Sequence, residues 1–206
     1  MRRARRAAGA AAVGLVLVAG LASCGDGGVP VPGAAKVDVD TPELRAAKKA
    51  AGVEDCVPGT GEPVEGGLPE VTLPCLGGGP DVDLAALRGP LVVNLWASWC
   101  GPCRKEMPEI QAFFEAHGDR VPVLGIDWED PQVDAAMELV TDTGVTYPLV
   151  ADPGGDVAVV DDMVVKGLPG IVLVDEDGEV VYRALEVVES PQQLEDLVTE
   201  HLGVDL

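Results

Sequence analysis

Basic residues, histidines and aromatics are all scarce in this chain, and no apolar run is long. Of 206 residues, 14 are Lys or Arg against 35 Asp or Glu, a formal net charge of −21. Four of the arginines (Arg2, Arg3, Arg5 and Arg6) stand in the first six positions, so beyond residue 23 only 10 basic side chains face the same 35 acids. A chain of that sign repels phosphate backbones, which excludes nucleic acid as a partner. Its acidity is otherwise read as a solubility feature. Histidine occurs twice, as His117 and His201; a zinc site on a Cys-x-x-Cys needs a second ligand pair, and with no other histidine in the chain zinc is not expected. Both stand at the ends of helical stretches, where positive charge complements the dipole. Aromatic residues make up 3%. Trp96 reads as a core residue and Trp99 as a surface residue, and no cofactor is implied. The N-terminal apolar run, residues 7–22, has 16 residues and is short for a bilayer span.

Arginines followed by a short apolar run and small residues form the pattern of a secretory signal peptide, so residues 1–23 are expected to direct export. The run ends in Leu21-Ala22-Ser23-Cys24, which resembles the lipobox of bacterial lipoproteins, where the cysteine is lipidated and becomes the new N-terminus. Cys24 is the expected anchor, holding the protein on the outer side of the cell membrane. A conventional signal peptide cleaved nearby and an uncleaved anchor are the alternatives. The arginine pairs lack a following Phe-Leu-Lys-like stretch, so the export route stays open.

Residues 24–66 read as a tether and N-terminal extension, with one helical stretch over 41–51 opened by Thr41-Pro42. Residues 67–206 read as a single α/β domain. Strands over 71–73 and 81–84 flank a Gly-Gly-Gly-Pro turn and form a hairpin. Residues 91–97 are a nearly continuous apolar run, as expected of a strand covered on both faces, and a helix to about His117 follows. A second strand (121–127) and helix (131–144) repeat the alternation, which implies parallel strands layered with helices. A further short helix is plausible near 155–161. Strands 171–174 and 179–184 flank an Asp-Gly turn, and a helix over 190–202 starts with Ser190 as N-cap and Pro191 at N1.

The chemistry gathers in Trp96-Ala97-Ser98-Trp99-Cys100-Gly101-Pro102-Cys103. Cys100 falls where a strand ends and a helix begins, and unpaired backbone N–H groups there stabilise a thiolate. Cys100 is therefore the expected nucleophile and Cys103, three residues on and more shielded, the resolving thiol. Pro102 suits the start of the helix, and Pro108 should kink it.

These residues, with Pro108 and Gly167-Leu168-Pro169, resemble the thioredoxin superfamily. From about Leu68 onward the chain is similar to the extracytoplasmic TlpA/ResA-like oxidoreductases. The resemblance implies a thioredoxin-like fold: a central mixed sheet flanked by helices, an N-terminal β-hairpin and a central αβ insertion over 131–150. It further implies that Pro169 is cis and faces the cysteines. Trp99, Gly101, Pro102, Leu168 and Pro169 would then meet the substrate, with Leu168 standing where relatives often carry threonine. Thioredoxin's buried aspartate is replaced here by Asn94. ResA-like proteins carry a glutamate where Glu106 stands, one turn beyond Cys103, and it is expected to tune the cysteines; the plain alternative is a solvated helix-face carboxylate. Residues 127–130 (Asp-Trp-Glu-Asp) read as a solvated loop rather than a metal site, with Trp128 bordering the substrate groove.

Cys56 and Cys75 remain, and in an exported chain they most simply form a structural disulfide. A second exchange site relaying electrons to Cys100 is the alternative. The expected function is reduction of disulfides in exported proteins, by resemblance including apocytochrome c, with electrons from a membrane partner of the CcdA type. The same cysteines could instead run as an oxidase that inserts disulfides into secreted proteins. A copper-carrying lipoprotein of the Sco type, which needs Cys-x-x-x-Cys and a downstream histidine, does not match, and the threonine pattern of a peroxiredoxin is absent.

Overall fold

The computed structural model describes residues 37–159 and 167–206. The leader, Cys24 and residues 160–161 of the expected 155–161 helix lie outside the described residues; the described part of that element is a 3₁₀ turn over Asp156–Val159. Helix α1 (Pro42–Ala51) opens the fold, with Leu44 N–H donating to Thr41 Oγ1 at 3.2 Å and Gly52 closing the helix at φ 75°. Short strands β1 (Thr72–Leu73) and β2 (Val82–Asp83) pair antiparallel as the expected hairpin, and a 3₁₀ turn over Leu84–Ala86 leads into the main sheet.

That sheet contains β3 (Leu91–Trp96), β4 (Val123–Trp128), β5 (Leu149–Asp152), β6 (Gly170–Val174) and β7 (Val180–Ala184), in the order β5-β4-β3-β6-β7. The β3–β4 and β4–β5 pairs are parallel; β6 runs antiparallel to β3, and β7 to β6. Helices α2 (Cys103–His117), α3 (Val133–Thr143) and α4 (Pro191–Leu202) complete the layers. Every residue of β3 and β4 is buried, because the sheet is covered on both faces. Along β3, Val92 and Trp96 join the core under Met107, Ile110 and Phe113 of α2, while Val93 and Leu95 join a second core with Leu68, Leu73 and Leu84.

Two local expectations change. The second strand extends to Trp128, so residues 127–128 are strand and not solvated loop: Asp127 is fully buried, and Trp128 packs into the second core instead of bordering a groove. In the extension, Val39, Leu44 and Val53 are buried in the main core and α1 packs on α3, so more of it than the expected helix is built into the body.

The stretch around 66–76 also touches both borders of the sheet. Val180 N–H donates to Gly66 O (2.9 Å) beside β7. Ala151 N–H donates to Pro74 O (2.9 Å), and Leu76 N–H to Leu149 O (2.8 Å), beside β5.

Candidate active site

Beyond Trp96 the chain turns through residues 97–102 and enters α2 at Cys103. Cys100 and Cys103 are joined in a disulfide with their Cα atoms 5.3 Å apart. Cys103 N–H points at Cys100 Sγ from 3.2 Å, so a thiolate on Cys100 would find a backbone donor and the positive end of α2 already in place. Pro102, at φ −63° and ψ −37°, occupies the position before the first helical residue, where no N–H is needed. Cys103 is fully buried and Cys100 is 4% exposed, whereas Gly101, Pro102 and Trp99 (52%) are exposed around them.

The redox loop is held by the segment that follows β4. Ser98 N–H donates to Asp130 Oδ2 (2.7 Å), and Trp99 Nε1–H to the Glu129 carbonyl (3.2 Å). Arg104 Nη2 donates to Ser98 O (2.9 Å). Glu129 itself has φ 50°, a left-handed turn that brings Asp130 inward, where it is fully buried. Sequence reasoning missed Asp130 as a positioning residue; the only signal available was an acid directly beyond an apolar strand.

The Leu168–Pro169 bond is cis, and Pro169 is buried just ahead of β6. The β3–β6 register pairs Leu95 with Gly170, which delivers Pro169 to the end of β3 where the redox loop departs. Leu168, half-buried, packs against both cores.

Glu106 lies on the inner face of α2, fully buried and not solvated. Its Oε1 accepts from Asn94 Nδ2 (2.9 Å) and its Oε2 from Val188 N–H (3.2 Å), while Tyr147 OH donates to Asn94 Oδ1 (3.4 Å). Burial pushes the Glu106 carboxyl up to about 7, against the pull of its two donors. Asp127 is a second buried acid on the neighbouring strand. Neither of its oxygens has a hydrogen-bond partner of normal geometry, and burial, then the charges of Asp130 and Asp152, hold it well above the usual carboxylate range. Cys56 and Cys75 form their own disulfide away from this site, at the β5 border. Among the described residues no group of three or more His, Cys, Asp or Glu side chains is arranged to hold a metal ion.

A family model described as Redoxin matches residues 63–199. The chain belongs to the Redoxin family. Among curated Redoxin-like relatives it is 38% identical over 96 residues to a thiol:disulfide interchange protein DsbE homolog of Paracoccus denitrificans, covering 46% of this chain and 50% of the relative. It is 28% identical over 105 residues to the thiol-disulfide oxidoreductase ResA of Bacillus thuringiensis, covering 50% and 58%. This Redoxin chain thus spans about half the length of the curated relatives it matches. Its fold is thioredoxin-like: a DsbF homologue from Corynebacterium diphtheriae superposes with a TM-score of 0.58 at 26% identity, over 72% of this chain and 99% of that one.

Proposed function

We propose that this Redoxin is an extracytoplasmic thiol-disulfide oxidoreductase, anchored to the membrane through lipidated Cys24, that reduces disulfides in exported proteins. The observation carrying the reading is the placing of the pair at the start of α2: Cys100, 4% exposed, lies under a backbone donor with exposed Trp99, Gly101 and Pro102 around it, and Cys103 is fully buried behind it. Cys100 thiolate attacks one sulfur of a substrate disulfide and forms a mixed disulfide, releasing the other as thiolate. Cys103 then attacks Cys100 Sγ, frees the reduced substrate and closes the Cys100–Cys103 bond. The substrate strand lies along Trp99, Gly101, Pro102, Leu168 and Pro169, with the backbone beside the cis proline supplying its hydrogen bonds. Glu106, holding a proton near neutrality, tunes the cysteines from one helical turn away. Apocytochrome c is the substrate class that the ResA-like resemblance favours, and a CcdA-type membrane protein the electron donor that would restore the dithiol.

The second reading is oxidation of secreted proteins, favoured by the Cys56–Cys75 disulfide, the kind of bond such an enzyme would install in its own compartment. A Cys103→Ser chain tests the mechanism: it should accumulate mixed disulfides with exported proteins through Cys100, and Cys100→Ser should accumulate none. Failure of Cys103→Ser to trap any thiol partner overturns the assignment. The Cys100–Cys103 reduction potential, measured against dithiothreitol or glutathione buffers, sets the direction. A value near thioredoxin's supports the reductase, and a strongly oxidising one the oxidase.

A further inference from the structure

The surroundings of Cys56 and Cys75 are unlike those of an inert staple. Lys48 is 5% exposed, and its Nζ is held by Asp55 Oδ1 (3.0 Å) and the Gly78 carbonyl (2.8 Å), leaving it 3.4 Å from Cys75 Sγ. The other sulfur, Cys56 Sγ, lies 3.2 Å from the Leu149 carbonyl oxygen. A cation therefore faces one sulfur and a hydrogen-bond acceptor the other. In the disulfide neither sulfur carries a charge or a proton, so Lys48 rests on Asp55 and Gly78, and the Leu149 carbonyl on Leu76 N–H. Reduction would add one partner to each, a thiolate at Cys75 pairing with the ammonium and a thiol at Cys56 donating to the free lone pair of the Leu149 carbonyl.

Cys56 is 3% and Cys75 2% exposed, and the residue set against Cys75 on its outer side is a glycine without a side chain. Gly79 is exposed, at φ 130°, and a Cβ there would come within 3.3 Å of Cys75 Sγ. A surface cleft of about 560 Å³ opens beside it, lined by Arg45, Lys48 and Lys49 together with Glu54 and Asp55. Three of the chain's 14 Lys and Arg thus meet at this one place.

We infer that Cys56–Cys75 is a second redox couple, opened by dithiol reductants and poised by Lys48, in addition to the Cys100–Cys103 pair. One thiolate of a dithiol attacks Cys56 Sγ; the S–S bond breaks with its electron pair on Cys75, which leaves as a thiolate toward Lys48. The second thiol of the reductant then attacks the mixed disulfide and passes its proton to Cys56. The reductant ends as a disulfide, and the protein as Cys56 thiol and Cys75 thiolate, two electrons richer. Lys48 is a positioning residue in this scheme, since it stabilises the leaving sulfur without reacting.

The test reads each cysteine separately by alkylation and peptide mass spectrometry, so it is independent of what Cys100 and Cys103 do. In the reduced wild-type chain, Cys75 should reach half its maximal iodoacetamide reactivity at a lower pH than Cys56; equal or higher values overturn the inference. In dithiothreitol redox buffers, Lys48→Met should raise the ratio of reduced to oxidised dithiothreitol needed to half-open Cys56–Cys75 by about tenfold, with Lys48→Arg near wild type. An unchanged ratio in a folded Lys48→Met chain also overturns it. If that variant fails to fold, the wild-type titration decides.

Discussion

Glu106 shows how much of a side chain's chemistry is set by its surroundings. In the unfolded chain it ionises around 4.5, whereas in the fold burial holds its proton up to about 7. Between those values the folded state carries a proton that the unfolded state lacks, so this group makes stability fall as pH rises from 4.5 to 7, by about 3 kcal/mol in all, and adds no further slope above 7. Glu106→Gln removes that slope. Denaturant titrations of the two chains should show the stability of the variant, relative to wild type, climbing across this window, and the inflection near 7 in the pH profile of Cys100 alkylation should disappear; parallel curves refute the assignment. The cysteines were legible in sequence because their spacing is local, three residues from Cys100 to Cys103, whereas Glu106 stood out only through the ResA-like resemblance, three residues further on. The partners that set the acid's behaviour were not. Val188 comes from 82 residues away and Asn94 from another element, itself bonded to Tyr147 a further 53 residues on. No local pattern announces such a meeting.

Elements were most legible where burial is continuous. Strand β3 and the helix after it follow from an unbroken apolar run meeting a helix start, and Ser190 caps α4 as its sequence position suggests, accepting from Gln193 N–H at 3.3 Å. The sequence places β4 at 121–127, while the strand runs Val123–Trp128, because acids at a strand end normally mark its exit into water. Here the sheet and the helical layer close over Asp127. The packing of β4 against β5 is tight at Gly125, where a Cβ would come within 2.5 Å of Leu149 Cδ2, 3.0 Å of Trp96 Nε1 and 3.1 Å of Tyr147 Cε2. Gly125→Ala must displace side chains that are all fully buried. It should cost about 1–3 kcal/mol in chemical denaturation with the fold retained; a neutral effect would show that this layer yields more easily than its packing implies.

At the scale of the whole molecule, the least legible feature was the reach of the extension. Its Gly, Pro and Ala content suggests a tether, yet from Val37 it contributes Val39, Leu44 and Val53 to the main core, an outcome decided by distant packing and not by composition. The Cys56–Cys75 bond closes a loop of 19 residues between that extension and the β5 border. Replacing both cysteines with alanine should lower the unfolding free energy by about 3 kcal/mol, and protease should then cut first within residues 37–66; a Cys100–Cys103 unit equally stable without the bond would show that the extension is not integral. The stretch around 66–76 carries a different consequence. A β-sheet ends in rows of unused N–H and C=O groups that invite other chains to add strands and grow into aggregates. Here Gly66 occupies part of one such row beside β7, and Pro74 and Leu76 part of the other beside β5, so a single stretch of chain blunts both. The same stretch that carries one end of the disulfide thus guards the protein against polymerising through its own sheet.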